Sequence, residues 1–136
     1  MLKLKIVTPE KLLFNGYCKS VTIPGELGEF QILKGHSSIL SSIKIGILKF
    51  DKTKDLSNDF IKSEKIIILG GFVKIEKNNV DILSNAVILK SEINLKKEKI
   101  LLQEKLEILS KLDTKNTNEY KKLINMINVS RIKLEL

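Results

Sequence analysis

The side chains best suited to nucleophilic or acid–base chemistry are those of His36 and Cys18, and the chain contains one residue of each type. A Ser-His-Asp or Cys-His arrangement would depend on His36 as its base. His36 lies in Lys34-Gly35-His36-Ser37-Ser38, and a lone histidine after a glycine is more typical of a loop or an interface than of a catalytic centre. A small hydrolase that uses His36 is the alternative interpretation.

Cys18 has no second cysteine to pair with, so it forms no disulfide within the chain. One thiol cannot build a cysteine-based metal site, and the sequence has no His/Cys spacing typical of zinc ligands. We therefore interpret Cys18 as a small core or edge residue in a protein of a reducing compartment, and we expect no metal site.

Phosphate binding and carboxylate catalysis lack a supporting motif. The glycines of Pro24-Gly25-Glu26-Leu27-Gly28-Glu29 resemble a phosphate-binding loop only superficially, because the GxxxxGK[ST] motif is missing and the two glutamates would repel phosphate. Turn geometry explains these glycines better. Since the other acidic residues are scattered, no carboxylate pair can be proposed for acid–base catalysis. The sequence favours a protein that is not an enzyme.

Arg131 is the single arginine among 24 basic residues. Helical spacing places it on the same stripe as Ile124, Ile127 and Leu134. One interpretation is an end-of-helix side chain that extends to water. The other is an ion pair with a carboxylate of a partner protein, for which the guanidinium fork suits better than an ammonium group.

The net charge of +8 suggests nucleic-acid binding, but its distribution argues against it. Residues 1–86 and residues 87–136 each carry a net +4, with no basic tail or run. Aromatic residues make up 5% of the chain and tryptophan is missing, which leaves little for base stacking. A free-standing basic nucleic-acid-binding protein remains the alternative function. No apolar run approaches the roughly 20 residues of a membrane span.

The first part of the chain has the period of β-strands. Leu2, Leu4 and Ile6 alternate with lysines, and similar patterns recur around Val21, Ile43 and Val80. All glycines and prolines occur at or before Gly71. These patterns predict an antiparallel β-sandwich, or flattened barrel, over residues 1–86. Gly70-Gly71 indicates a bulge or a close backbone approach.

From about Ser91 the period becomes helical. The first helix is predicted to begin at Ser91 as N-cap. Its apolar arc is Leu95, Leu101, Leu102, Leu106, Ile108, Leu109 and Leu112. The polar segment 113–118 then separates it from a second helix, which has its own apolar stripe of Tyr120, Leu123, Ile124, Ile127 and Leu134. Two amphipathic helices with a short link predict an antiparallel helical hairpin over residues 87–136.

Several segments together resemble the epsilon subunits of the F-type ATP synthase, in the same order and spacing. They are Leu4-Lys5-Ile6-Val7-Thr8-Pro9-Glu10, Phe14-Asn15-Gly16, Ile32-Leu33-Lys34-Gly35-His36, Ile45-Gly46-Ile47-Leu48 and Gly70-Gly71-Phe72-Val73. The resemblance is specific over about the first 85 residues. In the helices it is limited to Arg131-Ile132 and Glu135-Leu136, and the family often has proline where Lys34 stands.

The resemblance implies a fold with an N-terminal β-sandwich and a C-terminal helical hairpin. It implies a non-catalytic subunit of the central stalk, whose sandwich binds the gamma subunit and sits on the c-ring to help pass rotation to the catalytic head. The hairpin would fold against the sandwich, or extend along gamma and impede ATP hydrolysis. Such a subunit is peripheral to the membrane, on the inner face of a bacterial plasma membrane or the equivalent face of an organelle membrane.

Site residues follow from the resemblance alone. Glu29 and His36 match the loop that faces the polar loops of the c-ring. Lys121, Lys122, Arg131 and Lys133 lie in the helix whose basic side chains can meet an acidic loop of the catalytic beta subunit.

Some members of the family bind ATP through an aspartate and an arginine at the start of the first helix. Here Asn94 stands in place of the aspartate, Lys97 in place of the arginine and Glu98 in place of a small residue. A neutral amide and an added acid are poor substitutes in an anion site. We therefore expect no tight ATP binding and no cofactor.

Overall fold

The computed structural model describes residues 1–54, 60–111 and 118–136. Its strands are β1 (Leu2–Val7), β2 (Leu12–Gly25), β3 (Gly28–Leu33), β4 (Ile39–Thr53), β5 (Phe60–Glu76), β6 (Asn79–Leu83) and β7 (Val87–Leu89). A single 3-10 turn (Lys90–Glu92) follows, and then the helices α1 (Leu95–Ser110) and α2 (Asn118–Glu135).

The strands form a sheet that closes on itself. β1 pairs with β2, β2 with β4, β4 with β5 and β5 with β6, all antiparallel. β6 then pairs with β1 in parallel and completes the ring. β3 is added to the second half of β2, and β7 to the middle of β5. The predicted β-sandwich is confirmed, with one parallel pair that a wholly antiparallel prediction misses.

The core follows from the two-residue period. Leu2, Leu4 and Ile6 are fully buried while Lys3 and Lys5 between them are exposed, so β1 turns its aliphatic side chains inward. Val80 and Ile82 do the same on β6, the parallel neighbour. Removing each such side chain from water contributes about 1.5–3 kcal/mol. The burial of these aliphatic side chains therefore stabilises the sandwich.

β5 runs without interruption through Gly70-Gly71, where the sequence predicts a bulge or a close approach between two strands. Both glycines have positive φ angles, 82° and 148°. A Cβ on Gly71 would collide with the carbonyl oxygen of Leu83, the next strand's last residue. The close approach is confirmed, and the two predicted strands are one strand that the glycines allow to bend. Ser84 Oγ donates a hydrogen bond to the carbonyl of Gly70 at 2.6 Å beside it.

Two compact units divide the chain, Met1–Leu89 and Lys90–Leu136. The predicted boundary between residues 86 and 87 comes too early. Val87–Leu89 form β7 and pair with Ile66–Ile68 of β5, so they belong to the sheet. Three apolar residues beside a helical segment carry too little periodicity to separate a short strand from the start of a helix.

The second unit contains the two helices as an antiparallel hairpin. Lys133 Nζ of α2 lies 2.9 Å from Glu98 Oε1 of α1, and Lys105 Nζ of α1 donates to Ser130 Oγ of α2 at 3.1 Å. The partner number falls as the α1 number rises, so the predicted antiparallel arrangement is confirmed. The predicted link at 113–118 lies outside the described residues except for Asn118, which begins α2.

The start of α1 differs from the prediction. Ser91 lies in the 3-10 turn, and Asn94 is the N-cap, with its Oδ1 accepting a hydrogen bond from the backbone N–H of Lys97 at 3.2 Å. Serine and asparagine are both good N-caps, so the residue type alone does not choose between them.

Little apolar surface is buried in the helical unit. Among the described residues of α1 and α2, the buried ones are Glu98, Ile127 and Ser130. Leu102 and Leu109 are half-buried. The rest of the predicted arc on α1 is exposed at Leu95, Leu101, Leu106 and Ile108, and Leu112 is not described. Arg131 is exposed, and Ser130 takes the buried position beside Ile127.

We expect Gly71→Ala to lower the free energy of unfolding of the sandwich by about 3 kcal/mol, because alanine would add backbone strain to a collision with Leu83. Gly35→Ala is the matched control. Gly35 also has a positive φ, 83°, but open space around its missing Cβ, so we expect a loss of about 1 kcal/mol. Urea unfolding followed by circular dichroism measures both. Equal losses would contradict the close approach of β5 and β6.

Candidate interaction surfaces

Cys18 is fully buried in the sandwich core. Burial raises the pKa of its thiol from 9.0 to about 12; the negative charge of Asp51 adds to the rise, and the N-terminal ammonium opposes it. The thiol is therefore protonated at neutral pH and little reactive thiolate forms. The interpretation of Cys18 as a core residue is confirmed.

At pH 8 we expect a thiol-specific reagent to modify native Cys18 at least about 100-fold more slowly than the urea-unfolded chain, since both burial and the raised pKa withhold the thiolate. The same shift links stability to pH. The neutral, buried thiol stabilises the folded state. This stabilisation is complete below the unfolded pKa of 9.0 and is lost as the pH rises from 9.0 to about 12. The absorbance of the thiolate that the reagent releases measures the rate of modification. Similar rates in the two states would contradict a buried, neutral thiol.

His36 is half-buried just beyond the end of β3, where its Nδ1 donates a hydrogen bond to the carbonyl oxygen of Ser37 at 2.8 Å. Its ring centroid lies 6.5 Å from that of Phe30. Since Cys18 is in the core, no Cys-His pair can form. Across residues 1–54, 60–111 and 118–136, no group of three His, Cys, Asp or Glu side chains could hold a metal ion. These contacts fit a structured loop better than a catalytic centre.

The loop that carries His36 is fixed to the β5–β6 turn. The backbone N–H of Gly35 donates to Asn78 Oδ1 at 2.8 Å, and the N–H of His36 donates to the carbonyl of Leu33 at 3.1 Å. Glu29 is exposed at the other end of β3, where it pairs with Pro24 of β2. The structure therefore places Glu29 near the start of β3 and His36 beyond its end, with Glu29 exposed and His36 half-buried.

An exposed apolar surface lies on the outer side of β1, β6, β5 and β4. It consists of Val7, Leu40, Phe72 and Leu83, which we call the apolar face. Leu83 pairs with both Val7 and Phe72 in the sheet register. Leu40 is 74% exposed, and Phe72 and Leu83 are each 57% exposed. A contiguous exposed apolar patch is typical of a protein–protein contact.

Two shallow grooves cross the apolar face. One, of about 280 Å³, is lined by Val7, Pro9, Phe72 and Leu83 together with Ser84. The other, of about 330 Å³, shares Val7, Phe72 and Leu83, adds Leu40 and is bordered by charged residues of β1, β5 and β6. An apolar centre with a charged border is the composition of a docking surface.

The predicted basic residues of α2 differ in their surroundings. Lys121, Lys122 and Arg131 are exposed. Lys133 is half-buried: its side chain is only 22% exposed and forms an ion pair with Glu98. The helix therefore presents three of the four predicted cations to solvent.

The residues matched to the family's ATP motif have structural roles in α1. The Asn94 side chain caps the helix, and Glu98 is buried against Lys133. The sequence contains the residue types but does not indicate the Glu98–Lys133 contact, which depends on how the two helices pair. The apolar face was also missed. Its signal is the alternation in β5, where Val73 and Ile75 point inward and Phe72 must point outward.

Three comparisons with known proteins bear on identity. Residues 1–90 match the family model for the β-sandwich domain of the ATP synthase delta/epsilon chain. An ATP synthase epsilon chain of Aliarcobacter butzleri is 39% identical over 84 residues, which is 62% of each chain. One of Wolinella succinogenes is 40% identical over 85 residues, 62% of this chain and 60% of the relative. The matches thus span less than two thirds of those relatives' lengths.

Solved structures support the same fold. A chain of the Euglena gracilis mitochondrial ATP synthase, in an OSCP/F1/c-ring structure, aligns with a TM-score of 0.70 at 20% identity, covering 99% of this chain and 76% of that chain. A chain from the central stalk and c-ring of the Tetrahymena thermophila mitochondrial enzyme aligns with a TM-score of 0.62 at 16% identity, covering 98% and 94%.

None of the helices in the described residues is both long enough and apolar enough to cross a membrane. The family model covers more than half of the chain, and it covers the unit that carries the apolar face and the His36 loop. The chain therefore belongs to the ATP synthase delta/epsilon chain family, which this β-sandwich domain defines.

Proposed function

We propose that the chain is a non-catalytic subunit of the central stalk of an F-type ATP synthase, which helps couple rotation of the c-ring to the catalytic head. The observation that carries this proposal is the apolar face, an exposed surface suited to docking. It lies on the β-sandwich, which is the domain that the family model matches. The family match gives no support to the alternative of a free-standing nucleic-acid-binding protein. The chain would be peripheral to the inner face of the membrane, held there by its partners.

The gamma subunit is the partner we assign to the apolar face. A durable contact in a rotating stalk requires buried apolar area, and Phe72, Leu83 and Leu40 offer it with two grooves between them. Burying a large apolar side chain contributes about 1.5–3 kcal/mol. Three such side chains at the centre of one surface can dominate the affinity.

The c-ring is the partner we assign to Glu29 and His36. Glu29 is exposed on β3, and His36 lies in the loop after β3, where backbone hydrogen bonds hold it in place. Polar side chains on a fixed loop suit the polar loops of the ring, because a charged contact gives register and specificity without a large apolar area.

The helical hairpin is the part we assign to regulation of ATP hydrolysis. Lys121, Lys122 and Arg131 are exposed on α2 and would meet an acidic loop of the beta subunit when the helix extends. No role for bound ATP is proposed, because the Asn94 side chain is occupied by the helix cap and Glu98 places a carboxylate in that position.

We expect Phe72→Asp to weaken binding to the gamma subunit at least about tenfold, because it removes apolar burial and places a charge in the contact. Leu27→Asp is the matched control, since Leu27 is fully exposed in the β2–β3 turn and lines neither groove of the apolar face. Titration of purified gamma subunit followed by calorimetry measures both affinities. If the two variants bind gamma equally well, the gamma subunit does not dock on the apolar face.

Removal of residues 118–136 is expected to raise the rate of ATP hydrolysis by the assembled enzyme several-fold, because it removes the cations that would engage the beta subunit. Reversing Lys121, Lys122 and Arg131 to glutamate in the full-length chain should have the same direction of effect while keeping α2. ATPase activity of purified complexes with equal amounts of bound subunit gives the comparison. Unchanged rates for both variants would mean that this hairpin is not inhibitory.

A further inference from the structure

The contact between α1 and α2 is unusual in what it buries. Within the described residues of the two helices, the buried side chains are one carboxylate, one hydroxyl and one aliphatic group: Glu98, Ser130 and Ile127. Leu95, Ile100, Ile108 and Met126 are at least half exposed. Apolar burial in the helical unit is therefore partial, with Leu102, Leu109 and Ile124 among the half-buried residues. In proteins most of the stability of a helix comes from tertiary packing and not from its own propensity.

Two polar contacts also connect the helices. Lys133 Nζ lies 2.9 Å from Glu98 Oε1, and the two side chains are only 22% and 11% exposed. Toward the other end of the contact, Lys105 Nζ donates to the buried Ser130 Oγ at 3.1 Å. Both contacts run from one helix to the other, so both are lost when the helices separate.

The second carboxylate oxygen of Glu98 makes the stability of the helix contact depend on the ion pair. Glu98 Oε2 is buried and has no hydrogen-bond partner among the described residues. A buried carboxylate with one oxygen unpaired depends on its remaining partner, because removal of that partner leaves an uncompensated charge away from water. Lys133 is that partner.

A slip of one turn in either helix would break the pair. If α2 moved by one turn, the residue facing Glu98 would be Val129, Ser130 or Leu136, none of which carries a positive charge. If α1 moved instead, Lys133 would face Asn94 or leucines. A polar pair buried among apolar neighbours is the best-attested way in which charge specifies register between helices.

We propose that the Glu98–Lys133 ion pair is an intramolecular latch, which holds α1 and α2 together in this register and withholds Lys133 from outside partners. The latch is a property of the chain itself and does not require the proposed function. One consequence does rest on that function: Lys133 can contact a carboxylate of the beta subunit only after the latch opens, whereas Lys121, Lys122 and Arg131 are available in either state.

Pulsed electron paramagnetic resonance on the isolated full-length chain tests the latch. Spin labels are attached through Gln103→Cys and Asn128→Cys, two exposed neutral positions that lie at the same level along the hairpin in the register set by Glu98 and Lys133. Native Cys18 is buried and takes up no label. We expect one short distance population in the otherwise unchanged chain. Lys133→Glu and Glu98→Lys should each increase the ratio of separated to paired helices about tenfold or more.

Charge exchange and matched controls decide the outcome. The double variant Glu98→Lys/Lys133→Glu should restore the short distance, because it rebuilds the pair with its signs exchanged. Glu107→Lys and Lys121→Glu make the same charge changes at exposed positions and should leave the distance unchanged. The proposal is overturned if the single reversals keep the short distance, if the double variant does not recover it, or if the unchanged chain lacks it. Because no other subunit is present, failure here is distinguishable from failure of the proposed stalk function.

Discussion

The sandwich depends on β1 having a hydrogen-bonded neighbour along each edge. β2 pairs with one edge and β6 with the other, so a six-residue strand closes a sheet whose other members come from residues 12–89. Closure leaves the inward-facing side chains of β1, all fully buried, with no route to water. It also satisfies the backbone of β1 on both edges, which removes the exposed edge that would otherwise invite pairing with another chain.

Much of this could be predicted from alternation alone. Leu2, Leu4 and Ile6 specify an inward face, and the glycines at 70 and 71 mark the place where two strands approach closely. The parallel pairing of β1 with β6 could not be predicted, because local period carries no information about which distant strand becomes a neighbour. The N-cap at Asn94 and the strand at Val87–Leu89 were missed for the same reason, since several local solutions fit and tertiary contacts choose among them.

The two units differ in which kinds of side chain they bury and which they expose. The sandwich buries aliphatic residues and still exposes Phe72, Leu40 and Leu83 on its outer side, where they form the proposed contact with gamma. The helical unit buries a carboxylate and exposes many of its leucines and isoleucines. The hydrophobic pattern of the sequence therefore predicts where the strands and helices lie, but not which of their apolar side chains stay exposed. The predicted basic set on α2 illustrates the difference, because Lys133 belongs to it by sequence and is separated from it by an internal partner.

The parallel neighbour of β1 has a consequence for synthesis on the ribosome. The first strand can join β2 as soon as a short hairpin has emerged, but its other edge stays open until residues 79–83 have been translated. Contacts between such distant parts of a chain form slowly and expose an unfinished sheet in the meantime. The pairing of β1 is thus begun early and completed late, and β7 and the helical segment are translated after the ring can close.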